Sequence, residues 1–257
     1  MFRLITTIIL SIILQACATP LPKATEESTS LVDSSSFWAV RSVFAGPVDD
    51  EPVLRMKKHM FEIYTECFIR KWVYYFVDGA VEINNLAESG YYCEKESSPT
   101  IEKLDQALLQ ATSATIRNDQ LNLFDELGRR VLEADRLHPS GLEYIDWVIV
   151  SYFDGKSLVR FPDPQATRML FVHGHLMGSP GCGDFAGSGY SLDGSHITFD
   201  GLTVILLGWC TEEHVKYKGF VVGALSKVRR FERAGKKIEL YDQSGQLQVV
   251  LAPFENL

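Results

Sequence analysis

From residue 36 onward, hydrophobic and polar residues alternate in short runs that are separated by turn residues. Such alternation predicts β-strands that bury one face. Residues 37–46, FWAVRSVFAG, and residues 146–155, DWVIVSYFDG, are two of these runs. Each half of the chain also holds one segment with apolar residues at helical spacing. Those positions are Ile101, Leu104, Leu108 and Ala111 in the first half and Val221, Ala224, Leu225 and Val228 in the second. The pattern predicts a mainly β protein of the α+β class.

The same set of residues occurs twice along the chain. Three ordered blocks of identical residues recur at offsets of 109, 115 and 117 positions. The matched pairs are Trp38/Trp147, Ser42/Ser151, Phe44/Phe153, Gly46/Gly155, Cys67/Cys182, Asp78/Asp193, Gly79/Gly194, Cys93/Cys210, Ala107/Ala224, Leu108/Leu225, Leu123/Leu240, Asp125/Asp242 and Gly128/Gly245. Self-similarity at a nearly fixed period is typical of duplicated units. We therefore predict two domains, residues 36–136 and 141–257, joined by residues 137–140.

The amino terminus has the layout of a secretory signal peptide. Arg3 precedes an apolar stretch from Leu4 to Leu14, which is shorter than the roughly 20 residues that a membrane-spanning helix needs. The stretch leads into LQAC, which resembles the lipobox of bacterial lipoproteins. The resemblance implies that residues 1–16 are removed and that Cys17 is acylated at the new amino terminus. The alternative is an ordinary signal peptide in which this cysteine is incidental.

The residue after the cysteine is Ala18 and not Asp. In lipoproteins of double-membraned bacteria this implies the outer membrane. Residues 17–35 then form the lipidated cysteine and a polar tether, because this segment is rich in Ser, Thr, Pro and Glu and has too few apolar residues for a core. The expected location is the outer membrane, with the body of the protein facing the periplasm.

The charge of the chain narrows the expected partners. The formal net charge is −8, which argues against nucleic acid as a partner. Anionic lipids repel such a surface, so the acyl chains at Cys17 are the expected means of membrane attachment. A periplasmic protein or a small ligand is the other expected partner, and no cofactor is predicted.

The second half resembles a known family. Residues 181–210 read GCGDFAGSGYSLDGSHITFDGLTVILLGWC. The features that carry the resemblance are Trp147, the Gly181-Cys182-Gly183 segment, Phe185, Gly187, Tyr190, Cys210 and the hairpin at 238–245. On these residues, 141–257 is similar to the META domain, the HslJ-like family. The chain departs from the family at Gly183, where Asn is usual, and at residues 206–210, LLGWC.

The resemblance implies a fold and a class of function. It implies that each half is a small, partly open antiparallel β-barrel with one helix, and the family is not known as an enzyme family. Residues 36–136 are a divergent copy, because ECFIR at 66–70 lacks both the Gly and the Asn of the motif. A function that depends on that Asn is therefore not carried over to either copy.

Four cysteines remain after Cys17, two in each copy at matched positions. In an oxidising compartment an even number of cysteines favours disulfides. Pairing within copies, Cys67 with Cys93 and Cys182 with Cys210, is the connectivity that respects the repeat. The alternative is four buried free thiols.

Two histidines and two aspartates are candidates for chemistry. His173 and His175 are expected on one face of an extended segment, with His196 in a later strand, and this leaves a metal site open as an alternative. No metal set with recognised spacing and no G-x-S-x-G or H-E-x-x-H string is present, so neither metal binding nor catalysis is the main prediction. Asp125 and Asp242 lie in turns, where Asp side chains accept backbone hydrogen bonds.

The segment KWVYYFVDG at 71–79 has large apolar residues on both faces of a predicted strand. Trp72, Tyr74 and Phe76 share one face, and Tyr75 lies on the other. One face is expected to line the core, and the other either packs on the neighbouring domain or presents aromatic rings to a ligand. We take Trp72, Tyr74, Tyr75 and Phe76 as the candidate binding surface, with the seam between the copies as the alternative place.

The sequence thus predicts a non-enzymatic, lipid-anchored binding or envelope-maintenance protein with tandem META-like domains. The competing hypothesis is a periplasmic enzyme, such as a hydrolase, or a metal-binding protein. Its site would lie at the domain interface or around His173 and His175.

Overall fold

A computed structural model describes residues 35–49, 51–65, 68–77, 80–91, 99–139, 141–186, 188–206 and 210–254. The predicted signal peptide, Cys17 and the whole tether except Ser35 lie outside these ranges. Cys67 and Cys93 also lie outside them. The side chains of residues 68, 76–77 and 85–91 are also outside the description. Within the described ranges, no helix is long and apolar enough to cross a membrane.

The first half forms one antiparallel sheet with a helix. Its elements are β1 (Ser36–Val43), β2 (Gly46–Pro47), β3 (Val53–Lys57), β4 (Met60–Tyr64), β5 (Phe68–Val77), β6 (Ala80–Tyr91), α1 (Pro99–Gln110), β7 (Ser113–Arg117), β8 (Gln120–Phe124) and β9 (Arg130–Leu137). The strand order is β6-β5-β4-β3-β1-β9-β8-β7, and β2 pairs with β1. The two ends of the sheet meet where the Val81 amide donates to the Thr112 carbonyl at 2.8 Å, so the sheet curves into a partly open barrel.

The second half forms a closed ring of eight strands. Its elements are β10 (Trp147–Phe153), β11 (Leu158–Arg160), a 3-10 helix (Pro164–Ala166), β12 (Thr167–Val172), β13 (His175–Pro180), β14 (Asp184–Phe185), β15 (Gly189–Asp193), β16 (His196–Asp200), β17 (Val204–Ile205), α2 (Glu212–Leu225), β18 (Val228–Ala234), β19 (Lys237–Asp242) and β20 (Leu247–Pro253). The order is β10-β12-β13-β15-β16-β18-β19-β20, and β20 pairs back to β10. The prediction of a mainly β protein is confirmed.

The two barrels share strand order and register. β1 pairs with β9 and β10 pairs with β20, and the register shifts at equivalent places, between Val40 and Ser42 and between Ile149 and Ser151. The strands β1 and β10 are related by the offset of 109 found in the sequence, and β9 and β20 by the offset of 117. Bulges at equivalent positions agree with the repeat found in the sequence.

Each barrel has a core of its own, closed by its helix. Trp38 and Trp147 are fully buried at equivalent positions. The apolar faces of α1 and α2 are also equivalent and lie against the strands, since residues predicted from helical spacing are buried. They are Ile101, Leu104 and Leu108 in α1 and Val221, Ala224 and Leu225 in α2.

Asp125 and Asp242 have the structural role that their turns predict. The Oδ1 atom of Asp125 accepts the amides of Leu127 and Arg129 at 3.0 and 2.9 Å. The Oδ1 atom of Asp242 accepts the amides of residues 244 and 246, both at 2.9 Å. The two carboxylates thus accept backbone amides at equivalent positions of the two turns, and each stabilises a β-hairpin.

Candidate functional site

The two barrels contact each other through their outer faces. A separate apolar cluster joins Phe37, Val53, Tyr64 and Ile69 of the first barrel to Leu170 and Val172 of the second, with Tyr144 and Met177 packed against it. These residues alternate with the core residues along β1, β3, β4, β5, β12 and β13. Both faces of these strands are therefore covered, one by the barrel core and the other by the neighbouring barrel.

Equivalent strands meet at this contact, but they carry different chemistry. Arg55 of β3 lies opposite Glu62 of β4. Leu170 of β12 lies opposite Met177 of β13, at positions shifted by 115. The first barrel thus places an ion pair where the second places two apolar residues.

Arg55 connects the two barrels. Its side chain is 4% exposed, its Nε donates to Ser35 Oγ at 2.8 Å and its Nη1 donates to Glu62 Oε2 at 3.3 Å. Its Nη2 donates to the carboxylate of Asp146, which directly precedes β10. The guanidinium carbon also lies 5.0 Å from the centre of the Phe37 ring. A buried guanidinium requires such partners, because an uncompensated charge in the interior is strongly destabilising.

Glu62 is the centre of the same network. Besides Arg55, it accepts the Tyr64 hydroxyl at 2.6 Å and the Lys57 ammonium at 2.9 Å. Burial alone would raise the pKa of Glu62, but the positive charges of Lys57 and Arg55 and the hydrogen bonds from Tyr64 and Lys57 outweigh it, so the pKa is lowered. Burial and the negative charge of Glu62 raise the pKa of Tyr64 well above its ordinary value. Near neutral pH, Glu62 therefore stays ionised and Tyr64 stays protonated.

A cleft of about 710 Å³ opens beside this network, between the barrels. Clefts of this size hold small molecules. Residues of both halves line it, including Lys57, Lys71 and Ile69 from the first and Arg168, Met177 and Phe185 from the second. Arg168 is held in place, because its Nη1 donates to the carbonyls of Gln165 and Thr167 at 2.7 and 2.6 Å.

The predicted aromatic binding surface is wrong for two of its four residues. Trp72 and Tyr74 are 2% and 0% exposed, and the Tyr74 ring stacks on Phe61 with the centres 4.2 Å apart. They point into the first barrel, because the inner face of β5 completes the core. Tyr75 is 46% exposed, and the side chain of Phe76 is outside the described residues.

The histidine segment is not extended as predicted. His173 and Gly174 form the two-residue turn between β12 and β13, with φ values of 48° and 72°. His175 begins β13, and His196 is exposed at the start of β16. In the described part of the chain, no group of three His, Cys, Asp or Glu residues could hold a metal ion.

The cysteine pairing predicted for the second copy is confirmed. Cys182 and Cys210 form a disulfide, with their Cα atoms 5.9 Å apart. The bond joins the segment before β14 to the start of α2, where the Thr211 hydroxyl caps the helix by accepting the amide of His214 at 3.3 Å. Cys67 and Cys93 of the first copy lie outside the described residues, so their pairing stays a prediction.

Sequence reasoning named the seam between the copies but missed the residues that build it. Arg55 and Glu62 are charged residues in the middle of two largely apolar strands, VLRMK and MFEIY. Opposite charges at facing positions of neighbouring strands signal a cross-strand pair. The pairing of Arg55 with Glu62 could therefore be predicted from the sequence. The other partner, Asp146, is known only from the packing of the two barrels.

Comparisons with known proteins give no family assignment. No family model matches the chain, and no curated protein matches it. The chain is similar to one solved structure, described as the NMR structure of the protein from Burkholderia xenovorans, at 19% identity and a TM-score of 0.34. The match covers 51% of this chain and 100% of the other. The META resemblance therefore rests on sequence motifs and stays a prediction.

Proposed function

We propose that this chain is a non-enzymatic binding protein of the bacterial envelope, anchored to the outer membrane by lipid at Cys17 and built from two META-like domains. The cleft between the barrels is its binding site. The observation that carries this proposal is the cleft itself, which has the volume of a small-molecule site and takes its walls from both halves. Sites of this kind occur preferentially where domains meet.

The chemistry of the cleft supports binding over catalysis. A general acid or base works best with a pKa near the pH of its surroundings. The carboxylate of Glu62 has a lowered pKa and the hydroxyl of Tyr64 a raised one. Glu62 also accepts hydrogen bonds from both Arg55 and Tyr64. These groups hold the cleft in shape and are poorly suited to exchange protons with a substrate.

The lipid anchor is tested by cell fractionation. Cys17→Ser should move the protein from the membrane fraction to the soluble fraction, because the thiol that would carry the lipid is lost. Ala18→Ser, which places the same side chain one residue later, is the matched control and should stay with the membranes. Cys17→Ser protein that still sediments with membranes would contradict the anchor.

The cleft is tested by filling it. Asp184 is an exposed residue of its wall, and Asp184→Trp would place an indole in the opening. Binding of three naphthalene probes, naphthyl phosphate, naphthol and naphthylmethylamine, is measured by calorimetry on the purified full-length protein. We expect at least one probe to bind and Asp184→Trp to abolish that binding. Asp193→Trp, which makes the same change outside the cleft, should leave binding unchanged.

Two results of this experiment would overturn the cleft as the site. One is that Asp184→Trp and Asp193→Trp bind the probe equally well. The other is that no probe of any charge binds to the unchanged protein.

A further inference from the structure

The cleft has an unusual charge for this protein. The whole chain has a net charge of −8, yet basic residues outnumber acidic ones among those that line the cleft. The basic residues are Arg55, Lys57, Lys58, Lys71 and Arg168, and the acidic ones are Glu62, Asp146 and Asp184. A positive opening in an acidic protein concentrates anions at that place.

Two of the three carboxylates are already used within the protein. Glu62 pairs with Arg55 and Lys57, and Asp146 pairs with Arg55. In the described part of the chain, no ion pair includes Lys58, Lys71 or Arg168. Asp184 is the one lining carboxylate outside the Arg55 network. Arg168 also lies in the field of Asp146 and Asp163, but Asp146 is already bound to Arg55. The wall thus holds more positive than negative charge.

Arg168 is oriented before any ligand binds. Its guanidinium carbon lies 3.5 Å from the centre of the Phe254 ring, and its Nη1 is bonded to two carbonyls of its own segment. Arginine stacked on an aromatic ring loses little side-chain freedom when it forms further hydrogen bonds. Lys71 approaches from the other barrel, where it lies opposite Glu62 across β4 and β5.

Apolar side chains also line the cleft. Ile69, Leu170 and Phe185 are buried in its wall, whereas Met177 is half-buried and Phe254 is exposed. A ligand that covers Met177 and Phe254 gains from their burial, and a bare inorganic anion would leave them in contact with water.

We propose that the cleft binds small molecules that join an anionic group, a carboxylate or a phosphate monoester, to an apolar body. The anion lies between Lys58, Lys71 and Arg168, and the apolar body covers the wall formed by the second barrel. This inference rests on the proposed function, because it assigns a ligand class to the same cleft.

The test compares naphthyl phosphate with naphthol, which has the same rings without the charge. Calorimetry on the purified full-length protein should give naphthyl phosphate at least about tenfold higher affinity. Its affinity should also fall with rising salt, because the cations are partly open to solvent. Inorganic phosphate alone should bind more weakly than naphthyl phosphate, because it covers no apolar surface.

Charge reversal locates the anion. Lys58→Glu combined with Lys71→Glu should reduce the affinity for naphthyl phosphate by at least about tenfold and leave the affinity for naphthol unchanged. Lys103→Glu combined with Lys156→Glu reverses two exposed charges outside the cleft and is the matched control. It should change neither affinity appreciably, which excludes a general effect of net charge.

The outcomes separate this inference from the proposed function. If naphthol binds as tightly as naphthyl phosphate and Asp184→Trp blocks both, the cleft is a binding site and the anionic ligand class is wrong. If both double variants weaken naphthyl phosphate equally, the anion is not held by Lys58 and Lys71, and the inference is also wrong. If neither naphthyl phosphate nor naphthol binds, the inference is wrong, and the proposed site is overturned as well if naphthylmethylamine also fails to bind.

Discussion

Replacing the ion pair at the seam with the residues of the other barrel tests how the two halves are held together. Arg55 and Glu62 correspond to Leu170 and Met177, so the changes are Arg55→Leu, Glu62→Met and the two combined. Each single change leaves a buried charge with fewer partners. Because both side chains are only 4–5% exposed, breaking the pair should lower the free energy of unfolding by about 3 kcal/mol or more.

The double variant should be much less destabilised than the sum of the single ones. It removes both buried charges and inserts apolar side chains of a kind that the same contact already accepts at the equivalent positions. The carboxylate of Asp146 and the ammonium of Lys57 lose a partner, but they are 28% and 35% exposed and can be hydrated. Tyr64 loses its acceptor, which costs about 1–3 kcal/mol. We expect a coupling free energy of about 3 kcal/mol.

The measurement is urea unfolding followed by tryptophan fluorescence, which reports on the buried Trp38 and Trp147 of the two cores. The exposed pair Arg41 and Asp135 is the matched control, with side chains 57% and 45% exposed. Its double-mutant cycle should give a coupling below about 1 kcal/mol. If the losses from Arg55→Leu and Glu62→Met simply add, the two residues do not form the buried pair described above.

Three further predictions concern stability. Replacing Cys182 and Cys210 by Ala should lower the free energy of unfolding by about 3.5 kcal/mol on the chain-entropy model, because the disulfide closes a loop with a separation of 28 residues. Urea unfolding with and without a reductant checks this, and an unchanged free energy of unfolding would contradict it. The lowered pKa of Glu62 stabilises the fold above the unfolded-state pKa, and this contribution is lost as the pH falls through the lower folded-state value; Glu62→Gln should therefore show a smaller loss of stability on acidification than the unchanged protein. Gly183→Ala should destabilise the second barrel more than Gly245→Ala. Both glycines have positive φ, but a Cβ at Gly183 would lie 2.2 Å from the Ile205 carbonyl oxygen, whereas a Cβ at Gly245 would contact nothing. Equal effects of the two changes in thermal unfolding would refute this close approach.

Much of the fold could be predicted from local patterns in the sequence. The turns at Asp125 and Asp242 form as their sequences predict. The strands β1 and β10 lie at the positions that the sequence repeat matches, and their bulges are at equivalent places. The helix faces could also be predicted, since helical spacing alone decides which residues meet the core.

The parts that failed depended on tertiary contacts. Trp72 and Tyr74 were predicted at a surface, yet the inner face of β5 needed them for the core. The histidine turn was missed, because His173 has a positive φ without the Asn or Asp that usually marks such turns. Pairing of Arg55 with Asp146 joins residues 91 positions apart, and no periodicity within a strand carries that information.

A crystal structure of the full-length protein with naphthyl phosphate would show both the contact between the barrels and the position of the ligand. We expect the outer faces of β3 and β4 to pack on those of β12 and β13. We expect the phosphate to lie between Lys58, Lys71 and Arg168, with the rings against Met177 or Phe254. A ligand bound elsewhere, or barrels that meet through other faces, would contradict this expectation.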